Sequence, residues 1–132
     1  MAQHAFNPPG RQPASPLYSY GAAGGGLLFT AGIVAVDDQG ATQHPGDAKA
    51  QTHAVLGTIA QILAARGAGF EDVLMVQIYL RSMADYAAVN AAYAEVFQGL
   101  RPARFCVAAG LVKDDWLVEI AVVAAARQEA CA

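Results

Sequence analysis

Two charged residues stand in segments that are otherwise apolar, and they are the residues of this chain best placed to do chemistry. Arg104 lies in Pro102-Ala103-Arg104-Phe105-Cys106-Val107, and Glu119 lies in Trp116-Leu117-Val118-Glu119-Ile120-Ala121-Val122-Val123. With a strand period of two, Arg104 and Cys106 share one face while Phe105 and Val107 share the other. An ionised glutamate buried alone is costly, so Glu119 must pair, stay protonated or face a wet cavity. The short connection over 110–115 predicts that the two strands form a hairpin. Arg104 and Glu119 would then meet, directly or across a subunit boundary. An arginine fork suits a carboxylate, so Arg104 can anchor a carboxylate substrate while Glu119 positions or activates a water. The same pair can equally be a structural ion pair, and spacing alone favours that reading.

Other reactive side chains are less promising. Cys106 has no histidine placed to make its thiolate, so a small pocket-lining role is expected. Tyr18 and Tyr20 can close a pocket, although alternating strand aromatics are more often core. Cys106 and Cys131 lack CxxC spacing. His4 and His44 fall in irregular segments, and His53 has no second ligand at i+4, so no metal site is expected. Gly24-Gly25-Gly26 lacks the Lys and Ser/Thr of a phosphate loop and reads as a turn.

The elements that must position these residues follow from periodicity. Leu17–Tyr20 and Leu27–Thr30 read as a hairpin around the triple glycine. Asp37-Asp38-Gln39-Gly40 reads as a turn. A helix capped by Asp47 follows, with Val55, Ile59, Ile62 and Leu63 on one stripe and Gly67 or Gly69 as its stop. Residues 72–81 give the strongest strand signal, apolar on both faces. Ser82 caps a second helix whose core stripe is Tyr86, Val89, Tyr93, Val96 and Phe97. Asn90 within that stripe is expected to bond a backbone group, and Gly99 to close the helix. Strands from Pro102 and from Trp116 complete the order β-β-α-β-α-β-β, an α+β two-layer sandwich. Two helices cover one sheet face only, so the remaining apolar face calls for a second subunit. The expected organisation is an irregular N-terminal arm (1–15), one domain (16–126) and a solvent-exposed tail (127–132).

Composition bounds the partners. The chain has 132 residues, 55% hydrophobic and 14% charged, with a formal net charge of −3. That excludes disorder, and the apolar excess fits a buried subunit interface. The eight Lys and Arg are scattered, which argues against a dedicated nucleic-acid binder. No segment reads as a signal peptide or a membrane span, so the reducing cytoplasm is the expected compartment.

Together, Pro102-Ala103-Arg104 and Val118-Glu119-Ile120-Ala121 resemble the RidA/YjgF family of enamine/imine deaminases. Ala50-Gln51-Thr52, Val89-Asn90-Ala91-Ala92-Tyr93 with Phe97, and Gly32 add to the resemblance, which runs from about Pro16 to Ala125. Pro102–Cys106 with Gly110-Leu111-Val112-Lys113 is most similar to the RutC branch, tied to aminoacrylate removal. The resemblance implies a chorismate-mutase-like fold, a homotrimer with clefts between subunits, and no metal or organic cofactor. It implies that Arg104 grips the substrate carboxylate and that Glu119 holds the attacking water. Tyr18, Phe105 and Cys106 would line the substrate site. With the resemblance, the catalytic reading of Arg104 overtakes the ion pair. Ala31 replaces the usual Ser before Gly32, Phe105 stands where many members have Ser, and the segment Pro16–Tyr20 has an uncommon form. These departures bear on the substrate. A small-carboxylate binding or regulatory protein and a deaminase of larger, aminomuconate-type acids are the alternatives. Ribonuclease activity, also associated with the family, is disfavoured by the acidic balance.

Overall fold

The computed structural model describes residues 4–127. Its elements are β1 (Ala5–Phe6), β2 (Gly21–Gly24), β3 (Leu27–Thr30), α1 (Ala48–Ala64), β4 (Val73–Leu80), α2 (Tyr86–Phe97), β5 (Ala103–Ala108) and β6 (Val118–Ala125). Single 3-10 turns, Phe70–Asp72 and Met83–Asp85, lead into β4 and α2. The strands form one mixed sheet in the order β1-β2-β3-β6-β4-β5. The α+β two-layer architecture is as expected, with one strand more.

That strand lies in the arm expected to be irregular: Ala5 and Phe6 pair with Ala22 and Gly21. The first hairpin strand is also displaced. Residues 17–20 are not strand; β2 begins at Gly21 and runs into the triple glycine. Gly25 and Gly26 alone make the turn, at φ 60° and 79°. Two consecutive positive φ values match the twist of a two-residue hairpin and favour glycine at both places.

Asp47 caps α1 by accepting from the Ala50 amide at 3.0 Å, and Gly67 follows its end at φ 71°. Val55, Leu56, Ile59, Ile62 and Leu63 are fully buried against the sheet. Each such side chain contributes about 1.5–3 kcal/mol relative to exposure. Ser82 caps the 3-10 turn before α2, not α2 itself. The left-handed residue closing α2 is Gln98, at φ 48°, with Gly99 after it. Val89, Ala92 and Phe97 carry the buried stripe of α2, whereas Tyr86 is 44% exposed and is not core.

The expected hairpin of the last two strands does not form. β4 lies between them, parallel to β5 (Val76 opposite Arg104) and antiparallel to β6 (Tyr79 opposite Glu119). The crossover through α2 allows the parallel pairing, and β6 instead reaches back to join β3, with Leu28 opposite Ala124. Val76, Ile78, Leu80, Val118, Ile120 and Val122 face the helices and are buried. The other face carries Phe29, Met75, Tyr79, Phe105, Val107, Ala121 and Val123, and has no helix over it. Phe29, Phe105 and Val107 are about two-fifths exposed there, so one sheet face is apolar and uncovered.

Candidate functional site

Arg104 sits on β5, an edge strand, and its side chain turns toward α2. Its Nη2 donates to Asn90 Oδ1 at 2.7 Å and to the Tyr86 hydroxyl at 3.4 Å. Its guanidinium carbon lies 4.7 Å from the centre of the Tyr93 ring. Tyr93 stacks on buried Phe97 at 4.2 Å. Residues 86, 90 and 93 share one helix face, so a single stripe of α2 fixes the guanidinium and ties it to the core. Cation–π attraction adds about 0.5–2 kcal/mol to such a seat. Asn90 therefore serves a side chain, not the backbone group expected from sequence. Among the described residues no carboxylate lies within ion-pair distance of Arg104.

Cys106, two residues on, also faces the helix layer and packs against the core. Burial pushes its thiol up, opposed by nearby Arg104. That is the reverse of an activated nucleophile and fits a lining role. Burial likewise raises the Tyr93 phenol, with Arg104 opposing.

Glu119 occupies the opposite sheet face, so Arg104 and Glu119 do not meet within one subunit. Glu119 is half-buried, and burial pushes its carboxyl above the usual carboxylate range. Among the described residues it has neither a hydrogen-bond partner nor a cation. It lies against Gly32, where any Cβ would collide with Glu119 Oε2. Glycine leaves room for the carboxyl where it stands, a reason for Gly32 that the sequence did not show. On this side a cavity of about 180 Å³ is lined by Gly32, Tyr18, Tyr20, Val34, Lys113 and Trp116, among others. Tyr18 is thus at a pocket wall, half-exposed. Phe105 lies on the uncovered face and meets Tyr79 edge-on at 6.0 Å.

Buried Gln51 holds the approach to β6. It accepts from the Leu117 amide at 2.9 Å and donates to the carbonyls of Asp115, at 2.9 Å, and His44, at 3.3 Å. Arg81 fastens the same loop through the carbonyls of Trp116, Leu111 and Lys113. These two residues set where Glu119 emerges. His53, expected at a surface or interface, bonds Glu95 at 2.6 Å between the helices. Among the described residues no group of three or more His, Cys, Asp or Glu side chains forms a metal-binding cluster, and no helix is long and apolar enough to cross a membrane. Cys131 and residues 128–130 lie outside the described residues. Arg127 is exposed but paired with Glu71 and Asp72.

Comparison with known proteins places this geometry. The sequence profile of the endoribonuclease L-PSP family matches residues 10–126. The chain belongs to this family, the YjgF/RidA family. It is 43% identical over 124 residues to the 3-aminoacrylate deaminase RutC of Acinetobacter baylyi, covering 94% of this chain and 98% of that protein. A YjgF family member from Neisseria meningitidis shares 38% identity at a TM-score of 0.75, with 90% of this chain and 96% of that one covered. The E. coli protein TdcF, solved with bound serine, shares 27% identity at a TM-score of 0.77, covering 87% and 92%. The YjgF/RidA fold expected from the sequence is therefore the fold of this chain.

Proposed function

We propose that this YjgF/RidA member is a cytoplasmic, hydrolytic deaminase of small enamine and imine acids of the aminoacrylate type. The observation that carries the reading is Arg104: a cation seated by three residues of α2, with no carboxylate of its own among the described residues. Such a group is an anion anchor in waiting. The identity to a 3-aminoacrylate deaminase supports the choice of reaction.

The enamine acid tautomerises to its imine while Arg104 holds the carboxylate. A water held by Glu119 adds to the imine carbon, and Glu119 takes a proton from it. Glu119 returns that proton to the imine nitrogen to complete the carbinolamine, then moves the hydroxyl proton to the amino nitrogen; the C–N bond breaks, ammonia leaves, and the C–O bond becomes the carbonyl of a keto or semialdehyde acid. Imine and water are consumed, and ketone and ammonia are formed. Burial raises the pKa of Glu119, which makes its carboxylate a better proton acceptor than an exposed one.

Arg104 and Glu119 lie on opposite faces of one sheet, so the reaction needs the Arg104 half of one copy beside the Glu119 half of another. The uncovered apolar face, with Phe29, Phe105 and Val107 exposed, is the surface that drives this association. A homotrimer, with Tyr18, Phe105 and Cys106 around each shared cleft, meets the requirement. No nucleic acid or membrane partner enters this reading.

The test is ammonia release from freshly generated 2-aminoacrylate and 3-aminoacrylate. Wild type should accelerate it. Arg104→Ala should lose on the order of 100-fold in kcat/KM, the effect of removing a charged anchor. Folded wild type that accelerates neither acid would refute the deaminase reading.

A further inference from the structure

Tyr86 enters the reading above only as part of the seat of Arg104, and its surroundings are unusual for a large aromatic residue. It is the first residue of α2, it is 44% exposed, and its hydroxyl oxygen accepts from Arg104 Nη2 at 3.4 Å. The other contact of Nη2 is Asn90, at 2.7 Å. Nη2 thus already has two acceptors, one close and one distant.

Guanidinium geometry turns this into a functional statement. The fork presents five N–H groups, but a carboxylate bound through two parallel hydrogen bonds must use Nη1 with Nη2, or Nε with Nη2. Each arrangement needs one hydrogen of Nη2. With Asn90 and Tyr86 both on Nη2, an incoming carboxylate competes with them for that nitrogen. The 2.7 Å bond to Asn90 is the stronger and stays; the 3.4 Å contact with Tyr86 yields. A phenol hydroxyl accepts and donates, so the displaced Tyr86 can turn its proton to the oxygen that replaced it.

We propose that Tyr86 is a substrate-binding residue: an acceptor that keeps Arg104 occupied while the site is empty, and a third donor to the carboxylate once the site is filled. This rests on the assignment of Arg104 as the carboxylate anchor and adds a residue that discriminates carboxylates from neutral groups. An amide or ester cannot draw two parallel N–H bonds and a phenol proton together, so it gains little from Tyr86.

The experiment is calorimetric binding of pyruvate, an unreactive keto acid, and of its amide, pyruvamide, to wild type and Tyr86→Phe. Turnover of 2-aminoacrylate is measured alongside. Losing a hydrogen bond to a charged group weakens pyruvate about tenfold, raises KM by a similar factor, and leaves kcat and pyruvamide binding near wild type. The substitution removes one exposed oxygen, so Tm stays within about a degree. The Nε–H NMR signal of Arg104 in the ligand-free variant reports whether the guanidinium keeps its seat on Asn90 and Tyr93. Equal or tighter pyruvate binding by the variant overturns the proposal. So does an equal loss for pyruvate and pyruvamide, or an Arg104 signal that moves before ligand is added. Wild type that does not bind pyruvate overturns it too. Pyruvate binding that depends on Tyr86, without any turnover, upholds Tyr86 and removes the deaminase reading instead.

Discussion

On the helix-covered face Arg104 is held by Asn90, Tyr86 and Tyr93, whereas on the open face Glu119 lies against Gly32 and has no hydrogen-bond partner among the described residues. The cation is oriented and unpaired; the carboxyl is given space and left partly desolvated. Each arrangement costs stability that an ion pair within the subunit would have recovered. The sheet stands between them and prevents that pairing. On the proposed reading, groups kept apart in one copy stay available to a ligand where copies meet.

Three substitutions sharpen this contrast. The largest effect is expected from Phe105→Asp, which puts a charge on the uncovered face without touching the helix-covered core. It should convert the assembly to monomers in size-exclusion chromatography with light scattering, and abolish ammonia release while circular dichroism is unchanged. A variant that stays assembled and active would show that this face does not bring the halves together. Next is Gly32→Ala. Its Cβ would overlap Glu119 Oε2; the carboxyl is the free end of a flexible side chain and can turn aside, so denaturant unfolding should show a loss of no more than about 1 kcal/mol, with reduced turnover. The smallest effect on stability is that of Glu119→Gln. The folded-state pKa of Glu119 is raised, so ionising it opposes folding above that pKa and has no effect below the ordinary glutamate value. The variant's Tm should exceed wild type at pH 8, and the gain should vanish on acidification through the carboxylate range. The same variant should lose most of its turnover, because an amide cannot take the proton from water, and wild-type kcat/KM should fall on acidification as Glu119 becomes protonated.

Much of the helix layer was legible in the sequence because its signals are local. Asp47 as a cap and the stripe Val55, Ile59, Ile62 and Leu63 need only their own helix. The need to cover an apolar sheet face followed from alternation along β6. Strand partners were not legible: a short connection favours a hairpin, and nothing within 102–125 announces that β4 will take the place between β5 and β6. That misplaced partner set Arg104 beside Glu119. Tyr86 was misread for a related reason. Its spacing fits the core stripe, but it sits at the very start of α2, where the helix rises past the sheet edge and Arg104 approaches. Asn90 beside Tyr93 was a polar residue in an apolar run, and its partner lay 14 residues away on a strand.

The position of β6 has a consequence for how the chain is made. It is the last strand in sequence, yet it joins β3 on one side and β4 on the other. Until it arrives, β1-β2-β3 and β4-β5 are separate half-sheets with open edges, and Leu28 must wait for a partner, Ala124, almost a full chain length away. Closing so long a loop is slow. The sheet closes only when β6 is in place, and until then the facing edges of β3 and β4 are exposed to pairing with other chains.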